Sequence, residues 1–192
     1  MSARPFRIAL TAALAASTAV LAILCLVALN AGGEARLGPA PLMKLAAGYA
    51  RPAEQLLAPP APTPEAVAEA ERLSRRALAQ FPYDNSSWLR LAYADRLRNG
   101  RLTPQGVALL RRSYDLAPID IYAGTWRLRF VLENSQSIPR DVRKSARHEF
   151  EALWRDYTYR GELLQMAGDL QNPAGRLSAG LWLNRLEKSV AK

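Results

Sequence analysis

Apolar and polar positions divide this chain into two regimes. From Ile8 to Leu29 every residue is uncharged and most are apolar. Beyond residue 63, apolar residues recur at spacings of three and four among arginines and glutamates. The first pattern predicts one long apolar helix, and the second a series of amphipathic helices. Runs of alternating β-branched residues are absent, so no sheet is expected. The fold class that follows is all-α: an N-terminal transmembrane helix, then a helical domain.

The helix boundaries are written in capping residues. Thr63–Pro64 places a capping hydroxyl before a proline at the first helical position, and Thr103–Pro104 repeats the signal. The first of these helices runs to about Phe81, with Val67, Ala70, Ser74, Ala77, Leu78 and Phe81 on one face. Pro82 ends it. Asp84 and Asn85 can cap a second helix carrying Trp88, Leu91 and Ala92, closed by Asn99–Gly100. The third presents Val107, Leu110 and Tyr114 and stops at Pro118. Asp120 caps a fourth with Trp126, Leu128, Phe130 and Leu132. Pro139 opens a fifth, whose apolar stripe is Val142, Ala146, Phe150, Leu153, Trp154 and Tyr157. Gly161 and Asn172–Pro173 delimit two last helices, near 162–170 and 174–189.

Residues 31–62 read as a linker, because prolines at that density break helices. One short helix, Leu42 to Ala50, interrupts it. The chain thus divides into a tip (1–7), an anchor (8–30), the linker, a repeat region (63–134) and C-terminal helices (135–192) that pack on the repeats.

A helix over Ile8–Leu29 spans roughly 33 Å, about one hydrocarbon core. Arg4 and Arg7 precede it, which puts the N-terminus in the cytoplasm by the positive-inside rule. The rest of the chain then lies outside, in the periplasm of a cell with two membranes. A cleaved signal peptide is the competing reading. It needs a shorter apolar core than this and a better cleavage site than Ala31–Gly33. A buried helix of a soluble protein is the third.

Charge and cysteine add little chemistry. The formal net charge is +9, of which Arg4 and Arg7 account for two, leaving +7 beyond the apolar run. Such a balance fits ordinary arginine-rich surfaces, and also attraction to lipid headgroups or an anionic polymer. The single cysteine, Cys25, lies inside the apolar run, so no disulfide framework exists. Leu24 precedes it where a lipidation signal needs a small residue. Nucleic acid is not expected as a partner of an exported domain.

Residues 75–84 (RRALAQFPYD) and 111–120 (RRSYDLAPID) align at a spacing of 36, matching Arg75 with Arg111, Arg76 with Arg112, Pro82 with Pro118 and Asp84 with Asp120. Leu73 and Leu109 match at the same spacing. Such a period in helix pairs marks a solenoid, whose units bury their apolar faces on their neighbours. Pro82 followed by Trp88, Leu91 and Ala92, with Ala77 as the small residue before the proline, resembles tetratricopeptide repeats. The likeness covers about 64–134. It departs from the family after Pro118, where the aromatic, Trp126, comes two places late with no Leu–Ala, and where the period exceeds the usual 34. It implies a fold and no activity. The stretches FPYDNSSWLRLAYAD (81–95), LTPQGVALLRRSYDLAPID (102–120) and WRLRFVLEN (126–134) also resemble small anchored proteins found beside bacterial envelope-polysaccharide assembly genes. That resemblance implies a role in such an assembly.

No catalytic constellation is legible. His148 is the only histidine and reads as a surface residue between Arg147 and Glu149. One histidine without a usable cysteine cannot build the common metal sites or triads. No phosphate-binding glycine loop occurs, so no cofactor is expected. Glu69 and Glu71 are too close in sequence to face one another. Trp88, Trp126, Trp154 and Trp182, spaced by 38, 28 and 28, fit core positions better than a stacking surface for sugars.

The arginines are the candidate binding residues. Arg75, Arg76, Arg111 and Arg112 fall at equivalent repeat positions, with Arg72 beside them and Arg90, Arg127 and Arg129 on neighbouring helices. Stacked repeats would align them into a basic stripe able to grip carboxylates or phosphates. The plainer reading is solvated faces paired with Glu71, Asp95 and Asp115. The function expected is a non-enzymatic scaffold, anchored in the inner membrane, that binds a protein partner in or near that membrane. The alternatives are an accessory enzyme or a direct binder of an acidic envelope polymer.

Overall fold

The structure is a computed structural model that describes residues 4–30, 34–36, 41–58 and 61–190. Among these residues it is helical apart from one short ribbon. Helix α1 spans Arg4–Asn30. Within it, Thr11–Asn30 is long and apolar enough to cross a membrane, and only 6% of its most apolar window is buried. A core helix of a soluble domain would be covered by other elements, and this one is not.

Between α1 and the helical domain, β1 (Glu34–Arg36) pairs antiparallel with β2 (Pro41–Lys44). This ribbon falls in the stretch expected to be linker. Helix α2 follows at Ala46–Leu56, later and longer than the expected Leu42–Ala50, and it contains Pro52. Proline removes one helical hydrogen bond. Tertiary burial outweighs that loss, because Ala53 and Leu57 are buried with Val67, Ala70 and Leu73 of the next helix.

Helix α3 (Pro64–Gln80) starts on Thr63, whose hydroxyl accepts the Ala66 N–H at 3.2 Å. Helix α4 (Asn85–Asn99) is capped by Asp84 and closed by Gly100 at φ 67°, a left-handed conformation that glycine adopts without strain. Helix α5 (Pro104–Leu116) starts on Thr103, which accepts the Gly106 N–H. Asp95 of α4 holds this start by accepting from both the N–H and the hydroxyl of Thr103. It therefore orders a turn and does not serve as the counter-ion expected for the arginines. Helix α6 (Gly124–Glu133) begins after Asp120, whose carboxylate accepts the N–H groups of Tyr122 and Ala123.

Helix α7 (Arg140–Arg155) ends sooner than expected. Asp156 stops it and at once caps α8 (Tyr157–Asp169) by accepting the Thr158 N–H. Tyr157 therefore opens a new helix at 79% exposure and does not extend the apolar stripe of α7. Gly161 lies inside α8 and breaks nothing. Helix α9 (Pro173–Val190) starts on Asn172, which accepts the Ala174 and Gly175 N–H groups.

Helices α2 to α5 pack in sequence, each on the next. Helix α6 packs on α7, α8 and α9, and α5 joins that group through α7. One small core lies between α2, α3 and α4, and a larger one runs from α4 to α9 around Leu110, Leu128, Phe150, Leu163 and Leu170. At the centre of the larger core lies a buried charge pair. Arg127 donates to Glu149 through Nε at 3.1 Å and through a terminal nitrogen, and both side chains are fully buried.

Candidate functional site

Three adjoining concavities, of about 500, 310 and 270 Å³, share Trp126 in their walls. Together they form a groove across α6, bordered by α2 and α4 on one side and α8 on the other. The N-terminal start of α6 sets the position of Trp126. The Asp120 turn fixes where α6 begins, and the burial of Leu128 and Val131 fixes which way the helix is rotated. Trp126 then falls on the open face, at 43% exposure.

The ring of Trp126 is not loose. It stacks on Phe130 with centroids 5.5 Å apart and meets Tyr93 of α4 edge-on at 5.2 Å. Tyr93 also meets Phe130 at 5.9 Å. Such arrangements suit the ring quadrupoles and hold a rigid aromatic floor. Tyr122, at 95% exposure, stands at the mouth of the largest concavity beside Trp126.

Charged groups border this floor unevenly. The largest concavity carries Arg90 and Glu54. Arg90 donates to Ser87 at 2.7 Å and to Asp84 at 3.3 Å, while its Nε is buried without a partner. Burial pushes this guanidinium below the ordinary arginine range, against the pull of Asp84 and Glu54. The middle concavity carries Arg96, Arg129 and Glu133. The Glu133 carboxylate is already engaged by the N–H groups of Gln171 and Asn172. Among the described residues Arg96 donates to the Asn134 amide oxygen, so the middle of the groove sets two arginines beside one carboxylate. The third concavity adds Glu162 and Asp169, the latter 3.8 Å from Arg129.

The tryptophans were expected in the core. Trp154 and Trp182 are buried there, Trp88 is half-buried with its indole N–H donated to the Pro82 carbonyl, and Trp126 lines the groove. The expected basic stripe does not form as a unit. Arg127 is a core residue, Arg90 is tied to Asp84, and only Arg129 is open. Of the two doublets, Arg75 pairs with Glu71 of its own helix, and Arg111 pairs with Asp141 of α7 at 2.7 Å. Arg76 and Arg112 are exposed and have no ion pair among the described residues. Helices α3 and α5, which carry the doublets, both pack on α4 and have no extensive contact of their own.

Comparison of the chain with protein-family models, with curated proteins and with solved structures gives no match. The resemblances therefore rest on their residues alone. His148 is exposed on α7, and among the described residues no three His, Cys, Asp or Glu side chains gather as metal ligands.

No sequence signal marked the groove, since Tyr93, Trp126 and Phe130 also fit core positions. Trp126 falls one residue before Arg127, and only one of two adjacent helical positions can point straight into the core; apolarity would choose the tryptophan, and the structure chooses the arginine.

Proposed function

We propose that this chain is a single-pass, non-enzymatic scaffold of the inner membrane. Its tetratricopeptide-like solenoid domain lies on the periplasmic side and captures a segment of a protein partner near that membrane. The groove centred on Trp126 carries the reading. A rigid, partly exposed aromatic floor bordered by Arg96 and Arg129 suits an extended peptide that offers an apolar side chain and a nearby carboxylate. The uncovered apolar part of helix α1 supports the anchor, and Arg4 and Arg7, which precede that part at the start of the helix, support the orientation. The resemblance to anchored proteins of polysaccharide assembly supplies the setting. In this reading Arg75 and Arg76 on α3, and Arg111 and Arg112 on α5, help to steer an acidic partner to the domain.

A photo-crosslinking residue at Tyr122 of the full chain, in intact cells, tests the groove. The expected product is a crosslink to one envelope protein that is lost when Trp126→Ala is added. A crosslink unaffected by Trp126→Ala moves the site elsewhere. Glycan hydrolysis or glycosyl transfer by the purified chain overturns the scaffold reading.

A second reading, direct binding of an acidic envelope polymer, is favoured by the net +7 of the exported part. Retention of the full chain on an acidic polysaccharide, abolished by moderate salt, supports it.

A further inference from the structure

The solvent face of α7 carries a row of cations that the proposed scaffold role does not use. Arg140, Lys144, Arg147 and Arg155 lie on one side of the helix at spacings of three, four and eight, with Arg143 at its edge. The opposite side, with Val142, Ala146, Phe150 and Leu153, is buried in the core. The orientation of the row is therefore fixed by packing. Two acids accompany it on the surface, and both are already paired, Asp141 with Arg111 of α5 and Glu151 with Arg147. The third acid of the helix, Glu149, is buried against Arg127. Among the described residues Arg140, Lys144 and Arg155 are exposed with no ion pair, and Arg143 donates to the neutral carbonyls of Ser135 and Ile138. Like charges at these spacings work against the helix.

The chain length brings this row close to a bilayer. Fifteen residues separate the end of α1 at Asn30 from the start of α2 at Ala46. Fully extended they reach about 50 Å, little more than the diameter of the domain. The pairing of β1 with β2 folds part of that length back on itself. A domain held this near an anionic surface meets its potential whenever the basic row turns toward it.

We propose that the outer face of α7 docks on the anionic lipid headgroups of the bilayer that holds α1. The proposal rests on the reading of α1 as an anchor. Phosphate groups supply the counter-charges that the row lacks, and arginine grips them through paired N–H donors. Docking also fixes which way the groove around Trp126 faces, because α6 packs on α7.

The test uses the full chain in nanodiscs, with Cys25→Ser and a donor fluorophore on His148→Cys, and an acceptor on the lipid headgroup. The expected result is strong energy transfer in discs containing phosphatidylglycerol and weak transfer in phosphatidylcholine discs. Replacing Arg140, Lys144 and Arg155 with Gln lowers the docked-to-free ratio about a hundredfold. The charge-keeping set Arg140→Lys, Lys144→Arg and Arg155→Lys retains it. Equal transfer in both lipids, or no effect of the Gln set, overturns the docking. Equal transfer combined with retention on an acidic polysaccharide assigns the row to a polymer and likewise overturns it. A chain that enters neither kind of disc overturns the anchor reading together with the docking. That outcome differs from the others by its failure in phosphatidylcholine.

Discussion

Arg127 and Glu149 form a fully buried ion pair that ties four segments together. Besides Glu149, Arg127 donates to the hydroxyl and carbonyl of Ser113 and to the carbonyl of Ala117, all at or near the end of α5. Its guanidinium lies 4.0 Å over the Tyr114 ring. Glu149 also accepts the backbone N–H of Asp120 at 3.0 Å. Burial pushes the Glu149 carboxyl above its ordinary value, and Arg127 and the Asp120 N–H oppose that push.

Removing one partner leaves the other charge buried and alone. Arg127→Met is therefore expected to cost about 3–5 kcal/mol, measured by urea unfolding of the full chain in detergent. The double variant Arg127→Met, Glu149→Leu should be more stable than Arg127→Met alone, because no naked carboxylate remains. A double variant less stable than either single one would show that the pair itself, and not the relief of a buried charge, holds the segments.

Asp120 carries a pH dependence of the opposite sign. Burial works to raise its carboxyl, but the N–H groups of Ala123 and Tyr122, the Asn85 amide and the charge of Arg127 hold it below its ordinary 3.8. A carboxyl lowered in the folded state binds fewer protons there than in the unfolded chain, so its stabilisation is complete above about pH 4 and fades as pH falls through the folded value. Asp120→Asn keeps an acceptor for the turn and removes the charge. The gap in stability between wild type and this variant should be present at pH 6 and close below pH 3.8. A gap that is constant from pH 6 to pH 3 would rule the charge out as its source.

Gly175 and Gly168 are both helical glycines with opposite expectations. A Cβ on Gly175 would lie 2.2 Å from the Leu132 carbonyl oxygen, where α9 crosses α6. Backbone cannot step aside, so Gly175→Ala should cost about 1–3 kcal/mol. Nothing lies within 4 Å of a Cβ on Gly168, and Gly168→Ala should stabilise by about 0.5–1 kcal/mol through helix propensity. Thermal melts of the two variants side by side check both signs.

The doublets separate binding from stability. The ion pairs of Arg75 and Arg111 are exposed, and such pairs are worth at most about 1 kcal/mol each. Changing Arg75, Arg76, Arg111 and Arg112 to Gln should leave helicity unchanged and shift the melting temperature only slightly. Partner capture should weaken, most visibly at low salt, where screening is weakest. Unfolding of this variant would make the arginines structural. Unchanged capture would leave the groove as the whole of the site.

Local chemistry made much of this protein legible in its sequence. The uncharged run of α1 needs no partner to declare itself, because length and apolarity alone suit it to a bilayer. Thr63–Pro64, Thr103–Pro104, Asp84 and Gly100 mark helix ends through groups a few residues away, and all four act as read. What the sequence left open depends on contacts between distant segments. The pattern RHE at 147–149 does not say which residue turns inward, and only the arrival of Arg127 from α6 lets Glu149 be buried while His148 stays in solvent. Trp126 and Trp154 look alike in an apolar stripe. One lies in a groove and the other in the core, because α9 covers α7 with Trp182 while, among the described residues, Trp126 meets Tyr93 edge-on, stacks on Phe130 and stays 43% exposed. Helix periodicity states that a face is apolar, and only the packing of neighbouring helices decides whether that face is closed or left open as a surface.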